Sequence, residues 1–346
     1  MNNFIEKPKF LIQYEELIND YLQSSVISYD GNISKYINNY FGWEDKNGNK
    51  INSKYQGKAF RSSICLLVCD AFEGDIEVAL PPSISVELVH NFSLIHDDIE
   101  DNDKFRRHNP TLWTIWGIPK ALITGNLILV LGNKRLEQLL EYGMSNKALF
   151  LSQKLLTESY LKMMEGQFLD ISFERKSNIL EEEYLKMISL KTGALIECSV
   201  MLGAIASKKN LTDIEFNLIS QFGKDIGLLF QIRDDILGVW GTDKTGKPVG
   251  GDIKKKMKSL PVILTINSSN KFRNQIEKIM AKDILIESDI DKFILIMDEL
   301  QIRKKCDDIA LKYLQKIQHT ITLMPISSEF KKTFNEITNF LMHRET

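Results

Sequence analysis

Apolar residues recur at three- and four-residue intervals along almost the whole sequence, and convincing alternating runs are missing. Such spacing gathers apolar side chains on one side of a helix with 3.6 residues per turn; a pleated strand needs a period of two. Segment 58–72 carries Ile64, Leu67, Val68 and Phe72 on one such side. Pro81-Pro82 stands ahead of a second run, 83–101, and proline suits a helix start. Segments 119–142, 147–173, 181–207 and 212–239 repeat the pattern. Polar stretch 44–55, with its Asn47-Gly48 turn, reads as a loop, as does the Gly- and Lys-rich stretch 238–258. Segment 267–292 is polar and irregular. No repeat and no linker interrupts the 346 residues, so the pattern predicts an all-α protein built as one large domain.

Bulk chemistry narrows the function. Hydrophobic residues make up 43% and charged residues 26%, ordinary values for a globular protein. A net charge of −2 argues against a non-specific nucleic-acid binder. Cys65, Cys69, Cys198 and Cys306 form no C-x-x-C pair and read as buried thiols of a reducing compartment. Residues 1–10 lack a leader's apolar core, and no run approaches the roughly 20 apolar residues of a bilayer span. The expectation is a cytoplasmic protein without a transmembrane segment.

The most informative stretch runs from His90 to Asp103. Asp97, Asp98, Glu100, Asp101 and Asp103 put five carboxylates in seven positions at the end of an apolar helix. A helix C-terminus disfavours negative charge, and crowded carboxylates repel, so a cation is the natural complement. Asp97 and Asp101 are one turn apart and project from one face, with His90 seven residues earlier on the same stripe. Oxygen-only ligands suit magnesium, which takes one or two carboxylates and leaves positions for water and phosphate. Arg106-Arg107 follows at once, and arginine is a bidentate partner for phosphate.

A second acidic pair, Asp234-Asp235, ends the helix 219–237 in the sequence Gln231-Ile232-Arg233-Asp234-Asp235-Ile236-Leu237-Gly238. The loop after it holds Gly246-Lys247, Gly250-Gly251-Asp252 and four lysines, Lys254, Lys255, Lys256 and Lys258. Gly241 to Lys247 nearly spells a phosphate loop, but Pro248 stands where the Ser or Thr metal ligand belongs and no strand precedes it. Asp307-Asp308 has Lys312 where a third carboxylate would be expected and reads as a solvated helix face.

Taken together these residues resemble the trans-isoprenyl diphosphate synthase family over about residues 55–265. Gly57-Lys58 with Arg61 is similar to its G-K-x-x-R element, and His90 matches a further position; both hold the diphosphate of isopentenyl diphosphate. Asp97, Asp98 and Asp101 resemble the first aspartate-rich motif, with Asp97 and Asp101 ligating Mg²⁺ on the allylic diphosphate. The resemblance assigns Arg106 to the allylic and Arg107 to the isopentenyl diphosphate. Glu165-Gly166-Gln167 with Asp170 is similar to the mid-sequence E-G-Q-x-x-D helix. Lys191, Thr192 and Gly193 resemble the K-T-G element facing the allylic group. Gln231, Asp234 and Asp235 match the start of the second motif, which makes Asp234 and Asp235 metal ligands with the direct contact at Asp234, and Lys247 with Asp252 match its loop. Gly238 departs from the pattern by replacing that motif's last aspartate. His108-Asn109 replaces a glycine, Asn126 an aspartate and Met257 the late loop lysine, which leaves Lys256 and Lys258 as the flanking candidates.

The resemblance implies a homodimeric single-domain helical bundle around a substrate cavity. It implies Mg²⁺-assisted loss of the allylic diphosphate, attack by isopentenyl diphosphate and proton loss to the released pyrophosphate. Lys191, Thr192, Gln231 and Lys247 would act at the reacting centre. Phe92, five residues before Asp97 and about 7–8 Å deeper along the helix, with small Ser93 beside it, would floor the cavity for a C15 to C20 product. A class I terpene cyclase shares the fold but usually lacks the isopentenyl site that Lys58, Arg61, His90 and Arg107 suggest. A non-catalytic subunit of a synthase heteromer would not need the intact first motif.

Overall fold

The computed structural model describes residues 9–27, 29, 31–51, 57–107, 109–176, 178–241, 249–268 and 271–344. Its helices run in sequence order as α1 Lys9–Gln13, α2 Glu15–Ile27, α3 Ser34–Phe41, α4 Phe60–Ala71 and α5 Ile76–Glu100. A small hairpin of β1 Phe105–Arg106 and β2 Asn109–Pro110 follows. Next come α6 Leu112–Trp116, α7 Ile118–Arg135 with a 3₁₀ extension Leu136–Leu140, and α8 Asn146–Glu174. The helix α9 Glu181–Ile188 passes through a π-turn, Ser189–Gly193, into α10 Ala194–Ala206, and α11 Asp213–Trp240 succeeds it. The remainder is α12 Gly251–Lys254, α13 Leu260–Asn267, α14 Arg273–Met280, α15 Glu287–Glu299, α16 Ile302–Leu323 and α17 Ser328–His343.

The described residues divide into two compact units. One comprises those within Lys7–Tyr160 and Cys198–Thr212, the other those within Leu161–Glu197 and Asp213–Thr346. In the first, α5 is the axis, with α7 along its length and α4 beside it. It is buried on nearly every side, polar residues included. Those polar groups are satisfied, as buried ones must be: Ser62 Oγ donates to Glu87 Oε2 at 2.8 Å, Ser85 Oγ to the Gly132 carbonyl at 2.6 Å and Asn91 Nδ2 to the Glu87 carbonyl at 2.8 Å. In the second unit α11 is the axis, packed on α16, the π-turn, α17 and α13.

Three expectations need correction. Pro81 and Pro82 lie inside α5 rather than at its start, because the helix begins at Ile76 under a cap in which Asp75 accepts from the Glu77 N–H. Buried Val78, Ala79 and Leu80 hold the turn before the prolines. The polar stretch 267–292 contains α14 and the start of α15, whose inward sides are Ile276, Ile279, Ile290 and Phe293. Two segments, Ile76–Glu100 and Glu181–Ala206, are long and apolar enough to cross a membrane by composition, but 83% and 72% of their most apolar windows are buried inside the protein. All four cysteines are free and buried, as expected.

Candidate active site

α5 delivers the first acidic cluster. Asp101 closes the helix as its C-cap, its N–H bonded to the Asp97 carbonyl at 2.8 Å, and left-handed Asn102 ends it. The backbone then doubles back in the β1–β2 hairpin, with Arg106 opposite Asn109. That return brings Arg106 Nε to 2.7 Å from Asp98 Oδ1. Asp98 is buried, and burial pushes its carboxyl up while Arg106 pulls it down. Asp97 is half-buried and Asp101 exposed. The adjacent aspartates therefore differ in role: Asp98 anchors Arg106, and Asp97 and Asp101 form the one-turn carboxylate pair.

Basic groups gather in the same unit. Lys58 is exposed just before α4, and Arg61 sits in its first turn, where the helix dipole favours an anion. Arg61 Nη1 lies 3.4 Å from His90 Nε2. Burial first, then Arg61, Arg107 and Arg106, hold the His90 imidazole well below its ordinary pKa, so at neutral pH it is uncharged and Nε2 accepts from Arg61. A cavity of about 350 Å³ opens beside Asp98, Arg106 and Arg107, walled by Tyr40 and Asn91, with Tyr40 Oη donating to Asn91 Oδ1 at 2.9 Å.

Phe92 and Ser93 occupy different faces of α5. At about 100° per residue, five residues place Phe92 roughly 140° around the helix from Asp97. Its ring is 4.6 Å from that of His96, which lies against Gly125 of α7. Ser93 is nearer the Asp97 stripe, and its Oγ donates to the His90 carbonyl at 2.8 Å.

The second unit gathers the other motifs. Gly166 on α8 is where the π-turn packs: a Cβ there would fall 2.2 Å from the Lys191 nitrogen, so this crossing requires glycine. The same crossing pairs Lys191 Nζ with Asp170 Oδ2 at 2.5 Å. Thr192 Oγ1 donates to Gln231 Oε1 at 2.9 Å, and Gln231 Nε2 donates to Asp235 Oδ1 at 2.8 Å. Asp235 Oδ2 accepts from Tyr184 Oη and, at 2.7 Å, from the Leu260 N–H. Burial, with Asp252 second, pushes the Asp235 carboxyl up to about 7. Its neighbour Asp234 pairs with the buried Arg344, whose Nη2 also donates to the Phe230 carbonyl at 2.9 Å and whose guanidinium lies 4.1 Å from the Phe230 ring centre.

The family model described as polyprenyl synthetase matches residues 47–297, a span that includes both acidic clusters. The chain belongs to the polyprenyl synthetase family. It is 36% identical to a (2E,6E)-farnesyl diphosphate synthase of Mycobacterium bovis over 252 residues, 72% of this chain and 68% of that protein. It is 32% identical to a geranylgeranyl diphosphate synthase of Saccharolobus solfataricus, covering 83% and 86% of the two proteins. The crystal structure of a polyprenyl synthetase from Streptomyces coelicolor A3(2) superposes with a TM-score of 0.88 at 28% identity, covering 96% of this chain and 98% of that one.

A polyprenyl synthetase acts with divalent metal, and the donor chemistry fits such an ion. Asp97 and Asp101 are oxygen donors one turn apart. Among the described residues no three His, Cys, Asp or Glu side chains are drawn into a closed ligand set. The Asp97 and Asp101 pair suits a cation that takes one or two carboxylates and completes its shell with water and phosphate oxygens. Lys247 lies outside the described residues, as does His108. Lys256 Nζ is held by the carbonyls of Met280, at 3.1 Å, and Lys282. Lys258 is half-buried, and burial and Lys256 lower its pKa. Sequence reasoning missed Arg344 and Tyr184, which sit in no motif; the signal each carried was a polar group bordering an amphipathic helix. Nor is Asp307 wholly solvated as its surroundings in sequence suggest, since Asp307 Oδ1 pairs with Arg233 Nη1 at 2.8 Å.

Proposed function

We propose that this prenyltransferase condenses isopentenyl diphosphate with an allylic diphosphate, using Mg²⁺, to give a C15 to C20 prenyl diphosphate and pyrophosphate. The observation that carries this reading is the basic group of Arg61, neutral His90 and Arg107 in the same unit as Asp97 and Asp101. A reaction that couples two diphosphates needs a metal-free basic seat for one beside an acidic, metal-bridged seat for the other. The bound ion supplies charge neutralisation that turns the allylic diphosphate into a leaving group. Lys58, Arg61 and Arg107 hold the isopentenyl diphosphate, and His90 as a neutral ring orients Arg61. Arg106 meets the allylic diphosphate while Asp98 fixes its guanidinium. Lys191, fixed by Asp170, adds positive charge; Thr192 and Gln231 offer dipoles to an allylic cation. The released pyrophosphate takes the proton.

Residues 1–346 act as one isoprenoid synthase domain in this reading, supported by the match to the Streptomyces structure, which extends over 96% of the sequence. Leu161, Met164, Phe168 and Ile171 form an exposed apolar stripe along α8, Phe168 being 70% exposed, which supports a homodimer. A cytoplasmic location follows from the charged diphosphate substrates. Labelled isopentenyl diphosphate incubated with Mg²⁺ and allylic primers of increasing length tests the whole reading. Incorporation into a longer prenyl diphosphate is expected. A cyclic product without incorporation would establish a cyclase, and no turnover a non-catalytic subunit. Phe92→Ala should lengthen the main product by at least one five-carbon unit. If the product is unchanged and the protein only melts earlier, by the roughly 3–5 kcal/mol of a buried Phe→Ala change, Phe92 is core and the floor lies on the Ser93 side.

A further inference from the structure

Gly238 is buried in α11, three residues after Asp235, and the helix continues through Trp240. Nothing in a helical backbone calls for glycine there, since glycine is a poor helix former. Sterics do call for it. A Cβ at position 238 would lie 2.1 Å from Asp252 Oδ2, 2.4 Å from Cγ and 2.5 Å from Oδ1. All three distances are far inside contact range, so the Asp252 carboxylate rests against the α11 backbone in the space a side chain would need.

The loop is built to bring it there. Gly250, at φ 69°, caps α12 in the left-handed region, and its N–H bonds to the Val239 carbonyl at 2.9 Å, one residue past the seat. The Asp252 carbonyl accepts from Met257 at 2.9 Å and fixes the far side of the turn. Position 238 is about one turn beyond Asp235 on the same side of α11, so a carboxylate seated there stands beside that of Asp235. Neighbouring carboxylates repel one another when ionised, and a cation placed near them relieves that repulsion.

We infer that Gly238 is a positioning residue of the prenyl-transfer site: by lacking a side chain it seats the Asp252 carboxylate beside Asp235, so the acidic surface ending α11 is completed from the following loop. The inference rests on the function proposed above. It carries a counterintuitive corollary. Aspartate at position 238, which restores the spacing D-D-x-x-D, does not add a carboxylate to the site; it evicts one.

The test is a cycle on the full-length protein with Gly238→Ala, Gly238→Asp, Asp252→Ala, Asp252→Asn and the Gly238→Ala/Asp252→Ala double variant. Metal-free melting and the binding of Mn²⁺ in the presence of inorganic pyrophosphate are measured for each. Gly238→Ala should melt lower than the parent and bind Mn²⁺ at least tenfold more weakly. Asp252→Ala and Asp252→Asn should weaken Mn²⁺ to a similar degree, and the melting temperature of Asp252→Ala is the reference for the double variant. The double variant should melt where Asp252→Ala melts, because the three atoms that clash are gone, and bind Mn²⁺ no worse than Asp252→Ala alone. Gly238→Asp should behave like Gly238→Ala. Unchanged Mn²⁺ binding in Gly238→Ala, tighter binding in Gly238→Asp, or melting losses that simply add in the double variant would each overturn the seat. If the parent itself takes up no Mn²⁺ with pyrophosphate, the functional reading fails, while the melting cycle still decides whether Asp252 sits on Gly238.

Discussion

At the end of α5 the aspartate is the buried partner of its arginine; at the end of α11 the arginine is. The Asp98 side chain is 3% exposed and that of Arg106 31%, whereas that of Arg344 is 4% exposed and that of Asp234 31%. Two Asp-Asp pairs that look alike in sequence thus sit in opposite electrostatic settings. The remaining aspartates differ too. Asp97 is half-buried near Asp101, whereas Asp235 is buried and bonded to Tyr184, Gln231 and the Leu260 N–H. A shared motif fixes which groups are present, and burial decides which of them faces solvent and which is a tether.

The largest effects should appear at the carboxylates proposed to meet the metal. Chelation of divalent ions should abolish turnover, and Asp97→Ala should lower kcat about a thousandfold, as expected when several kcal/mol of charge stabilisation is lost. Full turnover in excess chelator would remove metal from the reaction. Asp97→Ala should leave the melting temperature nearly unchanged, which separates its role from that of Asp98.

Next come the tethers. Removing one member of a buried ion pair and leaving the other buried costs about 3–5 kcal/mol. Arg106→Ala should therefore destabilise more than Asp98→Ala, and Asp234→Ala more than Arg344→Ala, by denaturant melts. Acid should tell the two apart. The orphaned Asp98 of the Arg106→Ala variant can take a proton, so its deficit shrinks as pH falls. A guanidinium keeps its charge across that range, so the Asp234→Ala deficit should not shrink in the same way. Equal pH behaviour of the two variants would break the comparison.

Smaller again is the separation of substrates. Loss of a charge-assisted contact to phosphate costs about 1.5–3 kcal/mol, or roughly tenfold to a hundredfold. Lys58→Ala should raise KM by that factor for isopentenyl diphosphate alone. An equal rise for the allylic substrate would contradict the assignment of the α4 end.

The last expected effect is a slope. Asp235 titrates near 7 in the folded protein against 3.8 for an ordinary aspartate. A raised carboxyl favours the folded state below the unfolded value and loses that contribution as pH rises through the folded one. Metal-free protein should therefore melt progressively lower from about pH 4 to pH 7 through this group, and Asp235→Asn should flatten that part of the profile. A profile identical in the two proteins would place the titration elsewhere.

Much of this is legible in the residues themselves. Helical periodicity gives the α5, α7, α8 and α11 regions, because an amphipathic repeat depends on local spacing alone. The same is true of the Asp97 and Asp101 pair, one turn apart on any helix that carries them. Legibility fails where a partner is distant in sequence. Pro81 and Pro82 read as a helix start because the packing of Val78, Ala79 and Leu80 that carries α5 through them is tertiary, although the Asp75 cap itself is local. Polar stretch 267–292 hides α14, whose few inward residues matter only against a neighbouring surface.

The sequence by itself determined the helical class, the family and the inventory of charged groups, since these depend on residue type and short-range order. Tertiary structure decided which charge is tethered. Arg106 reaches Asp98 only because a hairpin folds back, and Arg344 reaches Asp234 across 110 positions. Lys191 meets Asp170 where Gly166 lets a π-turn approach, and Asp252 lies on Gly238 where a side chain is missing. The physical reason is common to all four. Desolvation and close approach are properties of three-dimensional neighbours, and no local pattern specifies them.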